Sequence, residues 1–264
     1  MRPSSELPLS RSGRVYHLGL APGELASIVL TCGEAARARR IVRRFDRVES
    51  ARRHREFLTV TGSWRGVRLS VLATGIGPDN TAIAVIEAAQ VAQGRPLTFV
   101  RLGSCGAIQE HIGLGELVIT QEALRLEAVS DLYAPKGLRA VSDPQVLAAL
   151  VRAATELGAP HHVGLTATTC DFYAGQGRVV PGFPHRQAGR LARLAARGVL
   201  NFEMEMAVYL TLARVSTLPL RAGGVCAVYA DRRRGEFGRA RERLEAEARC
   251  LEVGLRAAML LSDE

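Results

Sequence analysis

Residues 171–178 read DFYAGQGR, and three of them carry side chains suited to gripping a small flat heterocycle. Phe172 offers an aromatic face, Gln176 an amide that both donates and accepts, and Arg178 a planar fork of donors. No apolar periodicity places the stretch in a core, and Gly175 and Gly177 mark it as a loop. A second set of residues could hold an anion. Gly33 closes an apolar run, Arg37 follows four residues later in a first helical turn, and Arg101 interrupts the apolar run LTFVRLGSCGA beside Ser104 and two glycines. A guanidinium in such a run must be compensated, because an unpaired buried charge is strongly destabilising. Its partner is either a fixed carboxylate or an anionic ligand such as phosphate, which the Ser104 hydroxyl and the glycine N–H groups favour. Glu203 and Glu205 stand two apart in NFEMEMA, ahead of the apolar run AVYLTLA. Each is either an ordinary acidic partner of a helix start or an acceptor for the two hydroxyls of a ribose. Heterocycle, anion and diol together describe a nucleoside and a phosphate.

These residues need a scaffold, and short apolar runs alternate with longer helical patterns along most of the chain. Strands are expected over 27–34, 67–77, 97–107, 115–123, 161–169 and 220–230. Helices are expected over 34–45, 79–93 and 142–158, then one ending near Gly198, one from about Glu203, and a charged amphipathic helix at the end. Asp79 or Asn80 could cap the second helix; Ser142 or Asp143, Pro144 and Gly158 punctuate the third. Such alternation predicts an α/β domain with a central, mostly parallel sheet covered on both faces. Glycine-rich turns are expected at Gly33, Gly75 to Gly77 and Gly103 to Gly106, where strand carboxyl ends receive ligands. The turn GIGPDN departs from a dinucleotide fingerprint, since Asn80 replaces the third glycine and no acidic residue closes a second strand at the required distance. That argues against a nicotinamide or flavin cofactor.

With 264 residues, the chain suits one large α/β domain. Apolar residues at 47% and charged residues at 23% lie near globular averages, which excludes disorder and fibrous repeats. Five scattered cysteines without a CxxC pair argue against a disulfide framework and a structural zinc site. The N-terminus has no unbroken apolar segment of the signal-peptide kind, and no stretch is apolar enough to span a membrane, so a cytoplasmic address is expected. A net charge of +9 raises nucleic acid as a partner. Yet Lys136 is the only lysine among 35 basic residues, which reads as a compositional habit, and aromatics at 5% are too sparse to interleave as stacking platforms.

The segments VYHLGL, CGEAARAR, HREF, TGIG, RLGSCGAIQEHIGLGELVIT, FYAGQGR, NFEMEMA and RAGGVCAVYADR, in this order over residues 14 to 235, resemble the bacterial uridine phosphorylases of the nucleoside phosphorylase superfamily. The FYxGQxR loop is the mark of that branch. The resemblance implies a three-layer α/β sandwich with a mixed, mostly parallel central sheet. It also implies a single domain over 1–264 with residues 1–13 flexible, and a homohexamer built as a trimer of dimers. The implied activity is reversible phosphorolysis of uridine to uracil and ribose 1-phosphate in nucleoside salvage, with inorganic phosphate as co-substrate and no organic cofactor. The implied phosphate site is Gly33, Arg37, Arg101 and Ser104, with Arg55 reaching in from a neighbouring subunit. Met204 and Glu205 match ribose contacts, and His17 the histidine a neighbour lends to the 5′-hydroxyl. Phe172, Gln176, Arg178 and Arg232 match the base side, so that Arg101, Gln176, Arg178 and Glu205 carry catalysis. Glu56 and Ile76 match positions that hold potassium between subunits in some members, where the third position, usually Ser, is Asn80.

Three positions depart from the pattern. Ala174 replaces a frequent Pro, Gly177 a frequent Glu, and Asp231 stands where uridine enzymes often carry Asn and purine enzymes an acid that protonates the base. Purine nucleosides are therefore the first alternative, unless Arg232 neutralises Asp231 as an ion pair. A basic nucleic-acid-binding domain and a hydrolase using water in place of phosphate are the others.

Overall fold

The computed structural model describes residues 4–262. Of the N-terminal segment expected to be flexible, residues 1–3 lie outside the described residues. The remainder turns at Ser10 to Arg14 and bridges Leu9 to Val15. β1 (Ile28–Cys32) is buried along its whole length and passes through Gly33 into α1 (Ala35–Val42). A hairpin follows that the periodicity did not signal, β2 (Arg47–His54) and β3 (Phe57–Trp64). β2 is an edge strand exposed on both faces and rich in Arg, so it lacks the alternation that marks a half-buried strand. β4 (Val67–Ala73) leads into α2 (Pro78–Ala92) through Gly75 and Gly77, whose φ values of 79° and 98° suit glycine. Gly77 occupies the N-cap position and Pro78 the first turn, so neither Asp79 nor Asn80 caps this helix.

β5 (Leu97–Ala107) continues through Gly103 and Gly106 as strand, contrary to the expected glycine turn. The glycines serve close approach instead: a Cβ on Gly103 would collide with the Arg101 guanidinium, and one on Gly106 would lie 2.9 Å from Arg232 Cγ. β6 (Leu117–Leu126), β7 (Ala140–Val141) and α3 (Pro144–Glu156) come next, with Asp143 accepting from the Gln145 and Val146 N–H groups at 3.0 and 3.2 Å. Then follow β8 (His161–Thr169), α4 (Arg190–Ala196), β9 (Val199–Glu203), α5 (Met206–Val215), β10 (Leu220–Asp231), β11 (Glu236–Phe237) and α6 (Ala240–Ser262). β9 falls where a helix start was expected near Glu203; the helix begins at Met206.

The sheet is mixed. β4, β1, β5 and β10 run parallel, as do β6, β8 and β9. Antiparallel pairings of β10 with β6 and of β5 with β9 join the two groups, so β5, β10, β6, β8 and β9 form a closed ring. α1, α3 and α6 pack one apolar cluster on one face, around Ile41, Leu150 and Leu251. α2 and α5 pack another, around Phe99, Val85 and Leu210. Three layers result, with helices on both faces of the sheet.

Candidate active site

A cavity of about 300 Å³ is lined by Gly33 just past β1 and by residues in the carboxyl-terminal parts of β5, β9 and β10. Its lining includes Gly33, Arg37, Arg101, Ser104, Phe172, Gln176, Arg178, Met204 and Glu205. Residues as far apart in the chain as Gly33 and Glu205 therefore share one cavity because the strand ends deliver them to one place.

Part of the lining holds two guanidiniums that carboxylates balance. Arg37 Nε–H donates to Glu247 Oε2 at 2.9 Å, Nη1–H to the Leu102 carbonyl at 3.1 Å and Nη2–H to the Tyr229 hydroxyl at 3.3 Å. Arg101 lies 3.2 Å from Glu203 and donates to Glu205. The compensation that the sequence demanded for Arg101 is thus supplied by two carboxylates about a hundred positions away. Burial opposes both guanidinium charges, but nearby anionic groups outweigh it and hold both above the ordinary arginine range. Burial pushes the Glu203 carboxyl up, against the pull of Arg101. Glu203 also accepts the Glu205 and Met206 N–H groups at 2.9 and 2.8 Å, anchoring the start of α5. Glu205 accepts the Gly77 N–H at 2.7 Å. Each of its two oxygens keeps a lone pair for a further donor.

The 171–178 loop also contributes to the lining through Phe172, Gln176 and Arg178. The Arg178 guanidinium lies 4.0 Å over the Phe172 ring, a cation–π arrangement. Gln176 is 3% exposed; its Oε1 receives Arg178 at 3.4 Å and Arg232 at 3.5 Å, and its carbonyl receives Arg232 at 3.3 Å. Two donors at Oε1 fix the amide and leave Nε2–H₂ to donate elsewhere. Burial lowers the Arg178 pKa; burial and the neighbouring Arg178 push Arg232 down to about 10. Arg178 Nε is buried without an acceptor among the described residues.

Arg232 does not line the cavity and reaches it through Gln176. Nor does it pair with Asp231, which corrects the expected ion pair. Asp231 accepts the Arg233 and Arg234 N–H groups at 3.0 Å each, and Arg234 lies 3.5 Å from its other oxygen. That carboxylate caps a turn and does not line the cavity.

His17 and Arg55 lie apart from the cavity of their own chain. Tyr16 brings them together: Arg55 donates to its hydroxyl at 2.7 Å and lies 4.7 Å over its ring, and the His17 ring packs edge-on at 4.9 Å. Glu87 on α2 holds this segment, accepting from the His17 and Leu18 N–H groups. Glu56 is exposed beside Arg55 in the β2–β3 turn, Ile76 stands at the cavity and is 72% exposed, and Asn80 lies in the first turn of α2.

Glu247 and Tyr229 were not singled out in the sequence. Glu247 did leave a signal, since it falls on the buried stripe of α6 with Cys250, Leu251 and Gly254, where a carboxylate needs a partner.

An α/β fold that gathers arginines, a serine hydroxyl, carboxylates and an aromatic–amide loop around one cavity has the parts a nucleoside and an anion require. Comparison with known sequences narrows this: the phosphorylase superfamily model matches residues 27–262, and the chain belongs to that superfamily. It is 43% identical to a uridine phosphorylase of Thermococcus kodakarensis, covering 91% of this chain and 86% of the relative. It is 37% identical to a uridine phosphorylase of Escherichia coli, covering 94% and 98%. A guanosine phosphorylase of Halorubrum lacusprofundi is 33% identical, covering 80% and 81%.

Proposed function

We propose that this chain is a pentosyltransferase that cleaves uridine with inorganic phosphate, giving uracil and ribose 1-phosphate. The observation that carries the reading is the cavity itself, whose lining brings Arg37, Arg101 and Ser104 together with Phe172, Gln176, Arg178, Met204 and Glu205. Several uridine phosphorylases of similar length support it over the purine alternative, as does the use of Asp231 in a turn.

As the glycosidic bond lengthens, the sugar gains positive charge and the departing pyrimidine negative charge. Phosphate stabilises the first and attacks the anomeric carbon; Gln176 Nε2–H₂ and Arg178 donate to the second. Glu205 accepts from the sugar hydroxyls. No protein nucleophile is needed. Charge-assisted hydrogen bonds contribute about 1.5–3 kcal/mol each, so preorganised donors aimed at developing charge supply most of the acceleration.

Three guanidiniums, Arg37, Arg40 and Arg101, meet four carboxylates, Glu34, Glu203, Glu205 and Glu247, so this network carries no surplus positive charge. A phosphate dianion calls for further positive charge, which Arg55 of a neighbouring subunit would supply, with His17 beside it for the 5′-hydroxyl. Their joint placement on Tyr16, off their own cavity, supports a shared site in a homohexamer built as a trimer of dimers. Glu56, Asn80 and the Ile76 carbonyl are oxygen donors of the kind hard cations take, which suits potassium between subunits. Among the described residues no helix is long and apolar enough to cross a membrane.

The test is spectroscopic: protein is mixed with uridine, thymidine, inosine or adenosine, with and without phosphate, and free base is read from its ultraviolet change. Phosphate-dependent release of uracil is expected. Turnover without phosphate would indicate a hydrolase, inosine cleavage a purine enzyme. Inertness with salt-sensitive nucleic-acid binding would indicate a phosphate-tracking surface.

A further inference from the structure

Beside the cavity lies a buried carboxylate that the reaction itself does not use. Glu247 on α6 is 3% exposed and takes three donors: Arg37 Nε–H at 2.9 Å, the Tyr229 hydroxyl at 3.0 Å, and Arg40 Nη1–H. Arg37 and Tyr229 line the cavity; Glu247 does not. We infer that Glu247 is a positioning residue for phosphate, fixing the Arg37 guanidinium from behind so that its remaining donors serve the anion. This rests on the phosphorolysis reading above.

The donor count carries the argument. A guanidinium has five N–H groups. Glu247, the Leu102 carbonyl and the Tyr229 hydroxyl take one each from Nε, Nη1 and Nη2. One hydrogen on each terminal nitrogen remains, two donors free for phosphate oxygens. Tyr229 is itself held by Glu247, so a single carboxylate orients two cavity-lining side chains that come from α1 and β10. Arg40, which also reaches Glu34, ties the same carboxylate back to α1.

A merely structural role for Glu247, docking α6 on α1, can be separated from positioning. Glu252, on the same helix, makes a single, more exposed cross-link to Arg44 just beyond α1, and neither residue lines the cavity, so it controls for loss of a carboxylate from α6 away from Arg37. The experiment compares Glu247→Gln, Glu247→Asp and Glu252→Gln by steady-state kinetics in phosphate and in uridine, and by the rise in melting temperature that phosphate gives each protein.

For Glu247→Gln the KM for phosphate is expected to rise about ten- to a hundredfold, the scale of loss when a binding group is misplaced by about an ångström. The KM for uridine should stay put, and phosphate should protect the variant less against heating. Glu247→Asp, with the charge kept one methylene short, should also lose phosphate affinity, while Glu252→Gln should match the wild type in both KM values. An unchanged phosphate KM in Glu247→Gln would overturn the inference, as would equal rises for both substrates or an equal effect in Glu252→Gln. If Glu247→Gln does not fold, Tyr229→Phe reads the same network: a severalfold rise in phosphate KM supports it, and no rise overturns it. Wild-type turnover that ignores phosphate would overturn the functional reading and this inference together. Phosphate dependence with an indifferent Glu247→Gln would overturn the inference alone.

Discussion

Arg178 and Arg101 are both guanidiniums in one cavity, and their surroundings assign them different work. Arg101 is held between Glu203 and Glu205, whereas Arg178 has no carboxylate partner among the described residues and stacks on Phe172. A free positive charge beside a buried amide is what a departing pyrimidine anion requires. Arg178→Ala is therefore expected to lower kcat/KM for uridine about a hundredfold, equivalent to roughly 3 kcal/mol of transition-state stabilisation, with phosphate KM little changed. A weakened phosphate affinity with intact base discrimination would reverse the assignment. At this scale the loop residues and Arg101 were legible because their types are unusual for their local patterns. Their partners were not. Glu247 is 210 positions from Arg37 and Glu205 is 104 from Arg101, and nothing local records a contact made across the fold.

The elements that were readable are those with clear periodicity or punctuation, such as α3 with Asp143, Pro144 and Gly158. The β2–β3 hairpin was not, because an exposed edge strand carries charge on both faces. The glycines of β5 misled for a physical reason: they admit the arginine side chains of Arg101 and Arg232 and do not turn the chain. Ties between elements give a pH test. Glu116, just before β6, accepts from Gly113 N–H at 2.9 Å and meets His162 of β8 at 2.7 Å. Burial opposes the Glu116 charge, but His162 and that N–H hold its pKa below the ordinary 4.5. A carboxyl lowered by folding contributes stability above its unfolded value and loses it as pH falls through its lower folded value. Melting temperatures followed from pH 6 to pH 3 should show Glu116→Gln with a shallower acid decline than wild type; identical declines would remove Glu116 from the acid limb.

On the scale of the whole molecule, the alternation of elements disclosed a layered α/β domain. It did not disclose that the sheet closes into a ring, since closure depends on β10 meeting both β5 and β6. The largest remaining step is assembly. If Arg55 serves a neighbour's cavity, then Arg55→Ala and Arg178→Ala damage different halves of one shared site. Subunits of the two variants, coexpressed, should regain activity that neither has alone, and native mass spectrometry should find six copies. A fully active monomer would refute shared sites.

The most direct measurement is a crystal structure with phosphate and uracil bound together. Phosphate is expected within hydrogen-bonding reach of Arg37, Arg101 and Ser104, with the edge of uracil on Gln176 and Arg178. Arg37 and Arg101 still held by Glu247, Glu203 and Glu205 alone, with both ligands bound somewhere else, would contradict it.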